Sequence, residues 1–180
     1  MRLIKSVNVE IVIHSWLRDE YSNVFNFKAL TESNLDIIVT PNFESEFENM
    51  ERFKLLKSIR GQILEEIPFD TSWYEIDIMQ SDIYRIYHIP HFSWNIISNG
   101  TYHILETVKN INFHNEHGCK IASIVSTLND KTKINNLILG GSSQSSKLTV
   151  FEGNHRLTSM MYKLGKMTNE IISTKYYFIK

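Results

Sequence analysis

The apolar run Leu148-Thr149-Val150-Phe151 passes through Glu152-Gly153-Asn154-His155-Arg156 straight into a segment with helical spacing, Arg156 to Leu164, and Gly165 follows as its stop. No linker separates the two patterns. The chain must therefore turn from strand to helix within a few residues, and its core must contain both. Such a junction gathers free backbone N–H groups and the positive end of the helix dipole at one point. Gly153 lets the backbone turn tightly and approach a ligand closely. Arg156 is permanently charged and forks onto phosphate oxygens. Asn154 and His155 add donors, and Thr158 and Ser159 add hydroxyls in the first turn. Together these residues form an anion site, with phosphate as the expected anion. Glu152 beside it can hold a magnesium ion or take a proton from an attacking hydroxyl. The alternative for the same residues is a plain helix cap, with Arg156 paired to Glu152 and His155 satisfied locally.

The rest of the pattern is mixed. Val9 to Leu17 reads as a strand by its β-branched content or as a helix with Val9, Val12, Ile13, Trp16 and Leu17 on one face, and Arg18-Asp19-Glu20, which continues the period, favours the helix. Asn34 to Thr40 is a short apolar run whose end before Pro41 prefers extended geometry. Glu46 to Glu66 is the clearest helix, with Phe47, Met50, Phe53, Leu56, Ile59 and Ile63 as the apolar stripe. Arg52, Lys54, Lys57 and Arg60 then form a solvated face, or Arg52 and Arg60 point together at an anion. Trp73 to Met79 alternates as a half-buried strand. Asp82 to Tyr87 begins a short helix that Pro90 ends. Ser98 to Thr101 is a turn, and Tyr102 to Asn110 and Cys119 to Asn129 are helices. Leu137 to Leu139 and Leu148 to Phe151 are strands flanking the Gly/Ser loop from Gly140 to Ser146, and Lys175 to Ile179 is a last strand. This order implies an α+β fold, a small mixed sheet with packed helices. Residues 1–70 form a mainly helical N-terminal region and residues 71–180 the core.

Composition narrows the function. The 180 residues carry a formal charge of −1, which excludes a nucleic-acid binder that relies on bulk charge. Nucleic acid is thus a partner that charge does not indicate. The single cysteine, Cys119, forms no internal disulfide. The N-terminal apolar stretch is too short for a membrane span and lacks a signal-peptide cleavage site. The expected location is cytoplasmic, with no membrane partner.

The acidic-Gly-x-His-Arg turn between strand and helix resembles the ParB/sulfiredoxin superfamily. That superfamily includes chromosome-partitioning ParB, which binds CTP, the ATP-dependent sulfiredoxins, and the ParB-like free serine kinases. The upstream segments Ile121 to Leu128 and Leu137 to Leu139 resemble the helix and strand that precede the motif in these proteins. The resemblance implies a nucleotide-binding core in which Gly153, Asn154, His155 and Arg156, with Thr158, grip the phosphates of ATP or CTP. It places Ser126 and Thr127 where some members add contacts, and maps the acidic residue of the kinase-like members onto Glu152, with Asp replaced by Glu. Sulfiredoxins carry a cysteine where this chain has Asn154, so sulfinic-acid reduction is not expected. ParB proper carries a Gly-Glu-Arg-Arg box and a helix-turn-helix region, and neither is found here. Glu75 and Asp77 are the candidates for the upstream catalytic glutamate of the serine kinases.

Other constellations say less. His114, His117 and Cys119, with His103 or Glu116, lack an evident tetrahedral zinc set and read as a polar loop. Tyr84, Tyr87, Phe92 and Trp94, near Arg85, His88 and His91, read as core aromatics, or as stacking residues. Trp94 and Thr101 could then rim the nucleotide pocket, with Arg60 as a further contact. No Walker-A pattern, Gly-x-Gly-x-x-Gly or nucleophile elbow occurs. The expected function is a nucleotide-dependent enzyme, a phosphotransferase or NTPase. NTP and magnesium are its cofactors, a small molecule or protein its acceptor, and Glu152 and His155 its catalytic residues. The alternatives are a nucleotide-gated DNA- or protein-binding module with little turnover, and a ParB-like nuclease, which the near-neutral charge disfavours.

Overall fold

The computed structural model describes residues 1–21, 32–128, 136–142, 146–164 and 172–179. Gly165, expected to stop the last helix, lies outside them, as does the tip of the Gly/Ser loop at residues 143–145. The chain divides into two units, one of Ser6–Trp73 and one of Met1–Lys5 with Tyr74–Lys180. The break placed at residue 70 in the sequence thus falls after Trp73, and the first five residues go with the C-terminal unit.

The Ser6–Trp73 unit holds α1 (Val9–Tyr21), α2 (Glu32–Val39) and α3 (Glu46–Leu64). In α1 the expected face buries Val12, Ile13, Trp16 and Leu17. Asn34 to Val39 belongs to α2, whose end is closed by the Thr40 amide and hydroxyl, both donating to the Asp36 carbonyl. In α3 the expected stripe is met in part, with Leu56 buried and Phe53, Ile59 and Ile63 half-buried. Phe47 and Met50 are exposed, and the buried residues are Arg52, Leu55, Leu56 and Leu64. The cause is Arg52, which is 0 % exposed. Its guanidinium donates to the carbonyls of Ile37 and Asn42, each at 3.1 Å, and to Glu48 and Asn49. Arg60, at φ −128°, breaks the helical path and pairs with Glu20 at 2.5 Å. Arg52 and Arg60 therefore form neither a solvated face nor a shared anion site. Each satisfies partners inside its own unit.

The second unit is built on a six-stranded mixed sheet in the order β1-β2-β6-β4-β5-β3. The strands are β1 (Arg2–Val7), β2 (Trp73–Ile78), β3 (Ile86–His88), β4 (Ile138–Gly141), β5 (Leu148–Glu152) and β6 (Ile172–Ile179). β4 runs antiparallel to β5 and parallel to β6, and β3 runs parallel to β5 with His88 beside Val150. β2 is more buried than alternation implies, because Asp77 points inward and is neutralised by Arg2. The helix expected from Asp82 is only a 3₁₀ turn, Gln80–Arg85. The Asp82 carboxylate accepts from the Met79 amide at 2.7 Å and from Arg85, which closes the turn and releases Ile86–His88 as a strand.

Helices α4 (Phe92–Ile97), α5 (Ile104–Lys109), α6 (Glu116–Thr127) and α7 (Asn154–Leu164) pack in this unit. Its core is Ile76, Ile78, Ile86, Ile104, Leu139, Leu148, Val150, Leu157 and neighbours. α6 and α7 run side by side in the same direction. Near their starts His117 meets His155, in the middle the buried Ser159 hydroxyl donates to the Ile121 carbonyl, and near their ends Lys163 donates to the carbonyls of Val125 and Leu128. The fold is α+β. Among the described residues no helix is long and apolar enough to cross a membrane.

Arg52→Met should destabilise the protein by on the order of 3 kcal/mol, because the carbonyls of Ile37 and Asn42 and the side chains of Glu48 and Asn49 lose the buried guanidinium that joins them. The exposed Lys57→Met should change stability by less than about 0.5 kcal/mol. Urea unfolding midpoints of the two variants measure the difference.

Candidate functional site

The β5–α7 junction is a tight strand-to-helix turn. Gly153 has φ +91°, a conformation that L side chains rarely adopt, and an added Cβ would sit 2.1 Å from Leu137 Cδ2. Its carbonyl accepts the Leu157 amide at 2.9 Å, so Gly153 stands as N-cap and brings no side chain of its own. The amides of Asn154, His155 and Arg156 consequently have no intrahelical acceptor.

Asn154 is buried. Its Nδ2 donates to the Val150 carbonyl at 3.1 Å, and its Oδ1 lies 2.8 Å from His88 Nδ1. Since the carboxamide oxygen can only accept, His88 carries its proton on Nδ1. Its Nε2 is then a lone-pair acceptor, buried and without a partner among the described residues. The His88 ring, 2 % exposed, stacks on Trp94 at 4.1 Å and 7°. Two more imidazoles lean on the same indole, His117 at 4.7 Å and His155 at 4.9 Å. These two rings lie edge to edge, within 12° of parallel, with His117 Nδ1 and His155 Nε2 2.8 Å apart.

The positions of this pair matter. His117 is the second residue of α6, and His155 the second residue of α7. Two helix N-termini therefore meet at the pair, and each brings a positive dipole end, with the Gly118 amide of α6 capped by Asn115. Gly118 allows the α6 start to pack closely, since a Cβ there would lie 1.9 Å from the Asn112 carbonyl oxygen. Burial holds the imidazoles neutral. His155 falls to about 3, through desolvation and then the neighbouring His117, Lys120 and His88. His88 falls to about 4 through desolvation, against the opposing pull of its bond to Asn154. His117 is also lowered, chiefly by desolvation.

Arg156 lies on the next position of α7, partly exposed. It donates to the Asn136 carbonyl at 3.2 Å and to Glu152 at 3.3 Å. Glu152 and Arg156 are thus paired at the mouth of the turn, as the helix-cap alternative expects. The Thr158 hydroxyl is buried and donates to the Asn154 carbonyl, and the Ser159 hydroxyl donates to the carbonyls of Ile121 and His155. Neither hydroxyl is presented at the turn.

The remaining expected residues are scattered. Ser126 and Thr127 lie at the far end of α6, about 14 Å along its axis from His117, with hydroxyls bonded to the Ser123 and Ile124 carbonyls. Trp94, expected at a rim, is 4 % exposed and forms the template for three imidazoles. The Thr101 hydroxyl donates to the Ser98 carbonyl at 2.8 Å within its own turn. Arg60 belongs to the other unit. Glu75 pairs with Lys5 and Asp77 with Arg2. Cys119 Sγ bonds the Phe113 carbonyl, and no group of three or more His, Cys, Asp or Glu among the described residues could hold a metal. His88 and His117 were not singled out for the turn by sequence. The usable signal for His117 was Asn115, whose side chain accepts the Gly118 amide at 2.8 Å and starts α6 three residues before Cys119.

Comparison with family models, with curated proteins and with solved structures finds no match to this chain.

Two predictions concern this site. Gly153→Ala should cost about 2 kcal/mol or more, from the positive φ and the overlap with Leu137, read as a lowered urea midpoint. The second concerns acid. His88 and His155 refuse protons in the fold down to about 4 and about 3, whereas the unfolded chain takes them up near 6.5. The stability they contribute is complete above about pH 6.5 and is lost as the pH falls toward those lower values. The slope approaches about 1.4 kcal/mol per pH unit for each imidazole. Unfolding midpoints recorded between about pH 7.5 and 5 should show it, and His88→Gln should remove about one proton's share.

Proposed function

We propose that this protein is a nucleotide-dependent enzyme, a phosphotransferase or NTPase, with a ParB/sulfiredoxin-like core that binds NTP phosphates at the Glu152–Arg156 turn. One observation carries the reading. The N-termini of α6 and α7 converge, as the 2.8 Å contact of His117 and His155 records, and Arg156 follows His155 on α7. First-turn amides of two helices, two positive dipole ends and one cation favour a multivalent anion over a neutral ligand. The charge of −1 over the whole chain makes this a local feature.

A magnesium ion fits the turn in a restricted way. Glu152 is the carboxylate at its mouth, and magnesium is commonly held by one or two carboxylates together with substrate phosphates and water. The residues suit an ion that arrives with the nucleotide, with Glu152 as its protein ligand. When bound, it offsets charge on the transferring phosphoryl group. The chain itself does the rest. Arg156 forks onto phosphate oxygens, the amides of residues 154–156 orient them, and Gly153 admits them close to the backbone. The 3.3 Å pair of Glu152 with Arg156 holds both side chains ready.

Thermal unfolding with ATP and with CTP, each with and without magnesium, tests the reading. A ligand at 100 times its dissociation constant should add about 2.7 kcal/mol of stability. Arg156→Ala should lose that gain while keeping the parent's circular dichroism. A variant that binds like the parent places the site elsewhere. Glu152→Gln separates enzyme from module. As an enzyme whose magnesium is held by Glu152, the protein should lose most of its turnover with nucleotide still bound. A nucleotide-gated module would keep its residual hydrolysis unchanged.

A further inference from the structure

The His117–His155 contact has a property that neither ring has alone. Two neutral imidazoles that share one hydrogen bond have four nitrogens and two protons. One proton lies in the bond between His117 Nδ1 and His155 Nε2. The other sits on one of the two outer nitrogens, His117 Nε2 or His155 Nδ1, and the remaining outer nitrogen is a free lone pair. Neither outer nitrogen has a protein partner among the described residues. A proton that enters at the free end can cross the shared bond and leave from the other.

We infer that the His117–His155 pair is a proton relay that takes the proton of the phosphoryl acceptor at the convergent starts of α6 and α7, with Trp94 as the template that fixes the rings. This rests on the phosphate reading of the same turn. In the step, the oxygen of a hydroxyl compound or of water bonds to the γ-phosphorus. The bond from that phosphorus to the bridging oxygen breaks, its electron pair leaves with the nucleoside diphosphate, and the hydroxyl proton passes to the free nitrogen of the pair. Glu152 is less suited to take it, because its carboxylate already pairs with Arg156.

The surroundings make the relay dependent on its substrate. Facing the pair are Lys120, Glu116, His88 and His91. Glu116 favours a charged imidazole at both rings, but it is paired with Lys120, whose charge opposes it, and desolvation prevails. Two helix dipole ends oppose the charge as well. A bound triphosphate brings the missing negative charge and raises proton affinity at the pair. The base then becomes competent only when the phosphates are in place, and the pair titrates as one unit. Its neutral form is required, so turnover should hold at high pH and fall as the pH drops through that shared ionisation.

The test uses the full chain, ATP with magnesium, and water as acceptor. His117→Asn keeps a hydrogen-bonding group at the Nδ1 position but carries no proton onward, and His117→Phe keeps only the ring. The relay predicts that kcat falls at least tenfold in both variants, with KM for ATP changed less than threefold, and that the acid limb of the parent's pH profile is lost. An Asn variant that retains parental kcat and pH profile overturns the relay, because a merely positioning role would survive that change. A measurement on the parent covers variants that do not fold. With histidine labelled with ¹⁵N, saturating ATP should raise the pH at which the nitrogens of both rings titrate. If ATP stabilises the protein and that pH is unchanged, the relay fails and the phosphate site stands. If ATP gives neither stabilisation nor a shift, both fail.

Discussion

Asn154 has a buried carboxamide at the point where β5 becomes α7, and the site is organised around the two bonds it makes. Nδ2 holds the Val150 carbonyl of β5, and Oδ1 holds His88 at the end of β3. Both partners are buried, so loss of either bond would strand a polar group at a cost of about 1–3 kcal/mol. The bonds therefore fix the direction of the carboxamide, and with it the His88 tautomer. His88 in turn presents a ring face to Trp94, and Trp94 gives the other two imidazoles a surface to lie on. The tie works only because Gly153 accepts φ +91°, which lets the helix begin one residue after the strand ends.

The same inward direction bears on the chemistry open to this position. A residue at 154 that bonds β5 and β3 does not face a substrate. The Asn154 side chain is buried among its partners. The functional groups fall to its neighbours. His155 and Arg156, at the next two positions of α7, are only partly buried, while Thr158 is buried and closes on the Asn154 carbonyl. Anion-binding capacity is thus concentrated in backbone amides, one guanidinium and the imidazole pair.

How much of this was legible depends on how local the cause is. The strand-turn-helix at residues 148–164 is local, and the Gly153 turn, the α7 span and the Glu152–Arg156 pair follow from adjacent residues. β3 is three residues long, too short for any periodicity, and it forms because Asp82 closes the preceding turn against Met79 and Arg85. Arg52 was misread because spacing treats every arginine as a surface group, whereas its burial depends on carbonyls 10 and 15 residues away. His117 is the hardest case. Its partner is 38 residues distant, and the contact needs α6 and α7 to pack parallel with their starts level. That register is set by the Ser159 hydroxyl on the Ile121 carbonyl and by Lys163 on the last carbonyls of α6. Neither link has a signature in a single sequence.

Parallel packing of α6 and α7 also carries an energetic penalty that explains the character of the site. Two aligned helices place like dipole ends side by side, and each end disfavours the other. At the C-terminal ends Lys163 relieves this by donating to the carbonyls of Val125 and Leu128. At the N-terminal ends α6 has the Asn115 cap and the Glu116 carboxylate, itself paired with Lys120, and where the two starts meet the side chains are two neutral imidazoles bonded to each other. A carboxylate in place of either would put fixed negative charge at the meeting point of the two starts. Neutral histidines add none there, and their own protonation responds to any charge brought beside them.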